Sequence, residues 1–276
     1  MEKDPFYIGW QAQGSEAFRA PVKRLVILAI LLCLLLPLAI VSWQRGFATS
    51  TFELGQLTEV RGILEMEPVP MLRVSVPGES GTPIYQRILL IGFGKHGAEP
   101  TLQQIEATKG EGFRLAGKDV TLRGTLIYHD GRTLLELTEK EEALVAVAEG
   151  MAATPTPHGT LRQISLQGEI TDPKCKFGVM KPGFDKPHRS CASLCIAGGI
   201  PPVFVVETQS GQSQQFLLLG KAGTPINQAV LPYIGERLQL CGHAYQLDDW
   251  QVLEVDPAQQ IKRLGPSGMA DASWCQ

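Results

Sequence analysis

"GKDVTLRGTLIYHDGRTLLELTE" fills residues 117–139, and "GERLQLCGHAYQLDDWQVLEVDP" fills residues 235–257. The two align without a gap. Gly117 meets Gly235, Gly124 meets Gly242, and Leu135-Glu136-Leu137 meets Leu253-Glu254-Val255. Upstream, "ILLIGFGKHGAEP" from Ile88 parallels "FLLLGKAGTP" from Phe216, and "QLTEVRGILE" from Gln56 parallels "QISLQGEITD" from Gln163. Matches in one order along both halves read as a tandem duplication, so each half is expected to be a copy of one domain.

In the first copy, strands fall near 54–65, 71–76, 84–92, 118–128 and 132–138, rich in Val, Ile, Leu and Thr and bounded by Gly or Pro. "HDGR" around Asp130-Gly131 is a hairpin turn. "TLQQIEATKG" sets Leu102 and Ile105 on one helical face and stops at Gly110, and "PINQAVLPYIG" takes its place in the second copy. Five strands with a helix between the third and fourth is the element order of the OB-fold, a small Greek-key barrel.

Ahead of the barrels, "LVILAILLCLLLPLAIVSWQ" runs uncharged between Arg24 and Arg45. About 20 such residues cross a hydrocarbon core roughly 30 Å thick. The run exceeds the apolar region of a secretory signal peptide, and no small-residue cleavage site follows Trp43. Lys3, Arg19, Lys23 and Arg24 precede the span and only Arg45 follows closely, so the tail is expected inside and the rest outside.

The expected fold is therefore mainly β, with a single N-terminal transmembrane helix followed by two tandem OB-like five-stranded barrels. Its parts are a cytoplasmic tail 1–21, a transmembrane helix 22–43, a first barrel 51–138, a helix and linker 139–159, a second barrel 160–264 and a tail 265–276. In the connection, Thr138 and Glu141 form a capping-box start, Gly150 is a stop, and His158 lies in a Thr/Pro linker. A net charge of −3 argues against a general nucleic-acid binder.

The duplication isolates one segment. Where the first copy has only "MEPVP" between its first two strands, the second carries an insert, 172–201, containing "KCKFGVMKPGFDKPHRSCASLCIAGGIP". The first copy has no cysteine, so the barrel itself does not require thiols. A loop this long within a compact domain is usually functional or disordered, and three cysteines argue against disorder. Ser190 and Gly198 bracket a short helix that would set Cys191 and Cys195 four apart on one face, with Cys191 in the first turn, where the helix dipole, Arg189 and His188 favour thiolate. Lys174, Lys176, Lys181, Lys186 and Arg189 make the insert a basic patch for an anionic partner.

Three readings of the thiols stay open. An oxidising compartment favours a disulfide, most naturally from Cys175 to Cys191 or Cys195. The five cysteines beyond the span leave one over. A metal site could use Cys175, Cys191, Cys195 and His188 around a zinc or copper ion, with Cys241 and His243 as possible additions. "CASLC" has the spacing of binuclear copper sites, but Gly199 stands where those need a histidine. A redox-active or haem-contacting thiol is the third, without the Cys-x-x-Cys-His attachment motif. The chain carries no recognisable hydrolase triad or phosphate loop.

At "GEITDPKC…HRSCASLCIAGGIPPVFVVE", followed by "GERLQLCG", the second half resembles small exported bacterial OB-like domains of uncharacterised function with a Cys…Cys-x-x-x-Cys pattern. The architecture is also similar to the periplasmic haem chaperone of cytochrome c maturation, but with the barrel doubled and no clear haem-linking histidine motif. The resemblance implies location and fold. The expectation that follows is a non-enzymatic accessory subunit or assembly factor of a bacterial membrane redox complex, anchored in the inner membrane with its barrels periplasmic. Its partners would be the membrane and other membrane or periplasmic redox proteins, with no nucleic acid. A copper, zinc or haem carrier or thiol-redox protein is the alternative, and a cell-envelope ligand binder the third.

Overall fold

The structure is a computed structural model and describes residues 16–44, 50–78, 83–129, 131–148, 159–207, 213–265 and 274–275. Lys3, Arg45, Asp130, Gly150 and His158, and most of the 153–159 linker, lie outside them. Residues Met1–Ala48 and Thr49–Gln276 form separate compact units.

The first unit is one helix, α1 (Glu16–Gln44), which begins ahead of the expected residue 22 and holds Pro21 and Pro37 within it. Its segment Phe18–Ser42 has a mean hydropathy of 3.1 and is long and apolar enough to cross a membrane, as a membrane anchor or a signal sequence is.

The second unit holds both barrels. The first comprises β2 (Thr58–Glu65), β3 (Met71–Pro77), β4 (Pro83–Ile91), β5 (Asp119–His129) and β6 (Arg132–Leu137), with α2 (Glu99–Lys109) between β4 and β5. A short strand, β1 (Ser50–Phe52), is added beside β5. The pairing runs β5-β2-β3-β4-β6 and closes through β5–β6, with β4–β6 the one parallel pair of the ring. The second barrel repeats this with β8 (Arg162–Thr171), β9 (Val203–Glu207), β10 (Ser213–Leu219), β11 (Leu238–Leu247) and β12 (Trp250–Glu254), again closed, with β10–β12 parallel. Both are five-stranded OB barrels. A short β13 (Ile261–Arg263) borders β11.

Register confirms the duplication residue by residue. Thr125 faces Glu136 in one barrel and His243 faces Glu254 in the other. Leu90 pairs with Leu135 as Leu218 pairs with Leu253. A Cβ on Gly124 would lie 2.2 Å from the Glu136 carbonyl oxygen, and one on Gly242 would lie 2.3 Å from that of Glu254, so both barrels need glycine at the same sharp coil of the fourth strand. Leu64, Leu72, Leu90, Leu122 and Leu135 fill the first interior, plugged by Leu102 and Ile105 of α2. Their equivalents Ile170, Phe204, Leu218, Leu240 and Leu253 fill the second, plugged by Ile226 and by Val230 of the four-residue α4 (Asn227–Val230).

The barrels meet through equivalent outer faces. Met71, Leu89, Ile91, Ile127 and Leu134 share one buried cluster with their counterparts Val203, Leu217, Leu219, Tyr245 and Val252. Like patch against like patch is the arrangement of an isologous dimer, here within one chain. Arg87 is fully buried in this interface, pairing with Glu65 at 2.6 Å and Asp248 at 2.8 Å, and its carbonyl accepts from the Trp250 indole at 2.9 Å.

One expected element is different. The connection after β6 forms a 3₁₀ turn (Lys140–Ala143) and then a strand, β7 (Leu144–Val147), paired with β5. Leu144 and Val147 pack onto the first core from that strand, and tertiary pairing overrides the local capping signal of Thr138 and Glu141.

Candidate metal centre

The insert begins where β8 ends and folds back as one π-helical turn (Cys175–Val179) and then α3 (Asp185–Ala197). Asp172 starts the turn, its Oδ1 accepting from the Cys175 amide at 2.9 Å. The helix ends at Gly198 as the sequence predicts, but it starts five residues before Ser190. Cys191 therefore lies in the second turn, beyond the strongest part of the helix dipole. The insert seats against the first barrel. The Gly97 amide donates to the Gly198 carbonyl at 2.9 Å, and a Cβ on Gly198 would lie 1.9 Å from the Lys95 carbonyl oxygen, a contact only glycine permits.

Cys175, Cys191 and Cys195 converge beneath this contact. The sulfurs of Cys175 and Cys191 are 3.9 Å apart. Two sulfurs on one tetrahedral ion, each bonded at about 2.3 Å, stand about 3.8 Å apart, whereas a disulfide needs about 2.05 Å. Cys175, Cys191 and a ring nitrogen of His188 place donor atoms within 4.8 Å of one another, and so do Asp172, Cys175 and Cys195.

His188 is buried, and its Nε2 lies 2.7 Å from Asp172 Oδ2, also buried. Its Nδ1 is buried with no hydrogen-bond partner. A buried nitrogen left unpaired is costly, and a carboxylate on the opposite ring nitrogen is the usual support of a metal-bound histidine. The donor set therefore fits a soft cation: two cysteine sulfurs that would bind as thiolates, one imidazole, a third cysteine adjoining and a carboxylate behind the ring. Sequence reasoning missed Asp172. Its signal is that it lies three residues before Cys175 within the same insert.

The thiols do not titrate alike. Hydrogen bonding from Cys175, chiefly, holds the Cys195 thiol below its ordinary range. Cys175 is pushed far up by donating to Cys195 and by burial. Burial, with the neighbouring Cys195 charge, also pushes Cys191 up. The favoured thiolate is thus Cys195, the one hydrogen-bonded by its neighbours, rather than Cys191.

Cys241 forms a disulfide with Cys275, spanning 34 residues, which leaves Cys175, Cys191 and Cys195 as free thiols in the insert. His243 is exposed on β11 and belongs to neither donor group. The five cations do not form one face. Lys174 is buried and bonded to Glu136, while Lys176 lies 4.3 Å over the Phe184 ring. Lys181 donates to the Ser50 carbonyl at 3.3 Å, Arg189 pairs with Glu236 at 3.5 Å, and Lys186 is exposed.

Above the thiols opens a cleft of about 560 Å³, lined by Cys175, Cys191 and Cys195 from the insert and by Phe52, Leu57, Phe93, Thr125 and Glu136 from the first half. A second cleft of about 490 Å³ lies at the equivalent place on the other barrel, around Ala222, Gly223 and Glu254, with Pro68 of the short first-copy loop where the insert would be. Duplication made two clefts, and only one received thiols.

No known protein family matches the chain, and no curated protein does. Among solved structures it is similar to an internally deleted variant of the single-stranded DNA binding protein from Thermus aquaticus, at 12% identity and a TM-score of 0.21, covering 79% of this chain and 96% of that one. A likeness of that size carries no argument about binding.

Proposed function

We propose that the protein is a non-enzymatic, membrane-anchored bacterial protein whose barrels lie in the periplasm and hold a thiophilic metal ion at Cys175, Cys191 and His188, with Cys195 adjoining, in the service of a membrane redox complex. The observation that carries the metal reading is the convergence of a His188 ring nitrogen with the sulfurs of Cys175 and Cys191, in a ring whose Nδ1 is buried and unpartnered and whose Nε2 is held by Asp172. The anchor reading rests on the length and apolarity of Phe18–Ser42, and the periplasmic side on the basic residues that precede it. The resemblance of the second half to exported OB-like domains supports the same compartment. The accessory role rests on the apolar cleft over the thiols, a surface suited to another protein.

The full-length protein, purified in detergent without chelators, is expected to carry zinc or copper near one equivalent. Cys175→Ser and His188→Ala are each expected to abolish this. Metal-free protein that takes up neither ion would remove the reading. Pull-down through the anchored chain is expected to bring redox-complex subunits with it, and recovery of none would remove the partner assignment alone. A thiol-redox role is favoured by one observation, the approach of Cys175 and Cys191. Isolation with that pair oxidised and no metal would select it.

A further inference from the structure

Of the donor groups, one face is closed and one is open. Asp172, Cys175, His188 and Cys195 are buried, and of the three cysteines that line the 560 Å³ cleft only Cys191 is partly exposed. The rim beside it is unusually apolar for a surface: Leu54, Leu57 and Phe93 are 78%, 60% and 58% exposed. A structural metal site of this size is normally enclosed by four ligands, whereas a site that must react keeps one side open. The open side here faces a groove wide enough for a side chain from another molecule.

We propose that the cleft is a transfer port: a soft d10 cation, Cu(I) or Zn(II), enters and leaves the site through it by ligand exchange at Cys191. The incoming donor is a thiolate or thioether sulfur presented by a partner with an apolar contact surface. Its sulfur forms a bond to the ion as the Cys191 Sγ bond breaks, and Cys191 leaves as a thiolate that takes a proton from solvent. No electron moves, so no oxidant or reductant is needed. Cys175 and His188, both buried, hold the ion during this first exchange; it leaves when further donors of the partner replace them in turn, Cys175 departing as a thiolate that takes a proton from solvent and His188 as the neutral imidazole. Thiolate and thioether donors suit these cations above the harder divalent ions. The proposal rests on the metal reading of the site and adds the direction and means of exchange.

The test uses full-length protein in detergent, loaded separately with Zn(II) and with Cu(I). Release to an excess of a small-molecule dithiol is followed by stopped flow, with equilibrium affinity measured by chelator competition. Leu57→Trp, at an exposed position that folding does not depend on, and Thr125→Phe, in the cleft wall, narrow the port without touching a ligand. Both are expected to leave affinity within about threefold and to slow release at least tenfold for whichever cation binds. Tight binding with release unchanged by both variants would overturn the port and leave the metal site standing. Failure of wild-type protein to bind either cation would overturn the metal reading itself, and the port with it.

Discussion

Lys174, in the insert of the second barrel, donates its ammonium to the carboxylate of Glu136 at the end of the first barrel, and also to the Gly94 carbonyl. Glu136 accepts from the Gly94 amide at 3.2 Å, just as its duplicate Glu254 accepts from the Ala222 amide at 3.2 Å. The glutamate is thus part of the common barrel, and only one copy has been bridged to its sister. Both side chains of the pair are nearly buried. Removing one partner from a buried pair leaves the other charge uncompensated, at about 3–5 kcal/mol, while replacing both by apolar groups is close to neutral. Lys174→Ala is therefore expected to lower unfolding free energy by about 3–5 kcal/mol. Lys174→Met with Glu136→Leu is expected to recover most of the loss in a double-mutant cycle read by denaturant unfolding. Additive losses would show that the two do not interact.

The barrels were legible because their signal is local and doubled. Runs rich in Val, Ile, Leu and Thr, the Gly124 and Gly242 positions and the Leu-Glu-Leu match are all readable within short windows, and each copy checks the other. The boundaries of the insert were legible for the same reason, since its ends are the points where the copies stop agreeing. What was not legible depends on contacts between distant residues. Lys174 reads as a solvated cation until Glu136, 38 residues earlier, is brought beside it. Leu144–Val147 reads as part of a helix until β5 offers it an edge. Cys275 reads as tail until the chain returns to Cys241.

That disulfide closes a loop of 34 residues at the C-terminal end of the second barrel. Chain-entropy reasoning assigns a loop of this length about 3–4 kcal/mol. Cys275→Ser is expected to lower the melting temperature of the barrels by several degrees and to leave metal uptake at the insert unchanged. Alkylation of unfolded, unreduced, metal-free wild-type protein is expected to label Cys33, Cys175, Cys191 and Cys195 and to spare Cys241 and Cys275. Labelling of Cys275 would show that the bond is absent.

Glu169 on β8 is raised to about 7, chiefly by burial, although its carboxylate accepts from the Asp185 amide at 2.7 Å. In the unfolded chain it returns to about 4.5. Between these values the folded state binds more protons than the unfolded one, so stability falls as pH rises from about 4.5 to 7 and levels off above. Partial exposure screens the effect, leaving about 1–2 kcal/mol. Glu169→Gln keeps the acceptor for Asp185 and removes the charge. It is expected to stabilise the protein by about that amount at pH 8 and not at pH 4. Equal gains at both would mean that its ionisation is not involved.

Asp172 tests the site from behind the ligands. Its Oδ2 faces His188 Nε2 at 2.7 Å, so the ring proton sits on Nε2 and the lone pair is left on Nδ1. Asp172→Asn can still accept the Cys175 amide through one oxygen, and the turn is preserved. Its amide nitrogen, however, presents a donor to Nε2, which must then accept, and the ring proton moves to Nδ1. The buried, unpartnered Nδ1 then carries a proton and has no lone pair to offer a metal ion. Outer-shell changes of this kind typically cost about 10–100-fold in metal affinity. Asp172→Asn is expected to weaken Zn(II) or Cu(I) binding by that factor in chelator competition, with the metal-free melting temperature nearly unchanged. Unaltered affinity would show that Nδ1 of His188 is not a ligand, leaving the thiols alone to hold the ion.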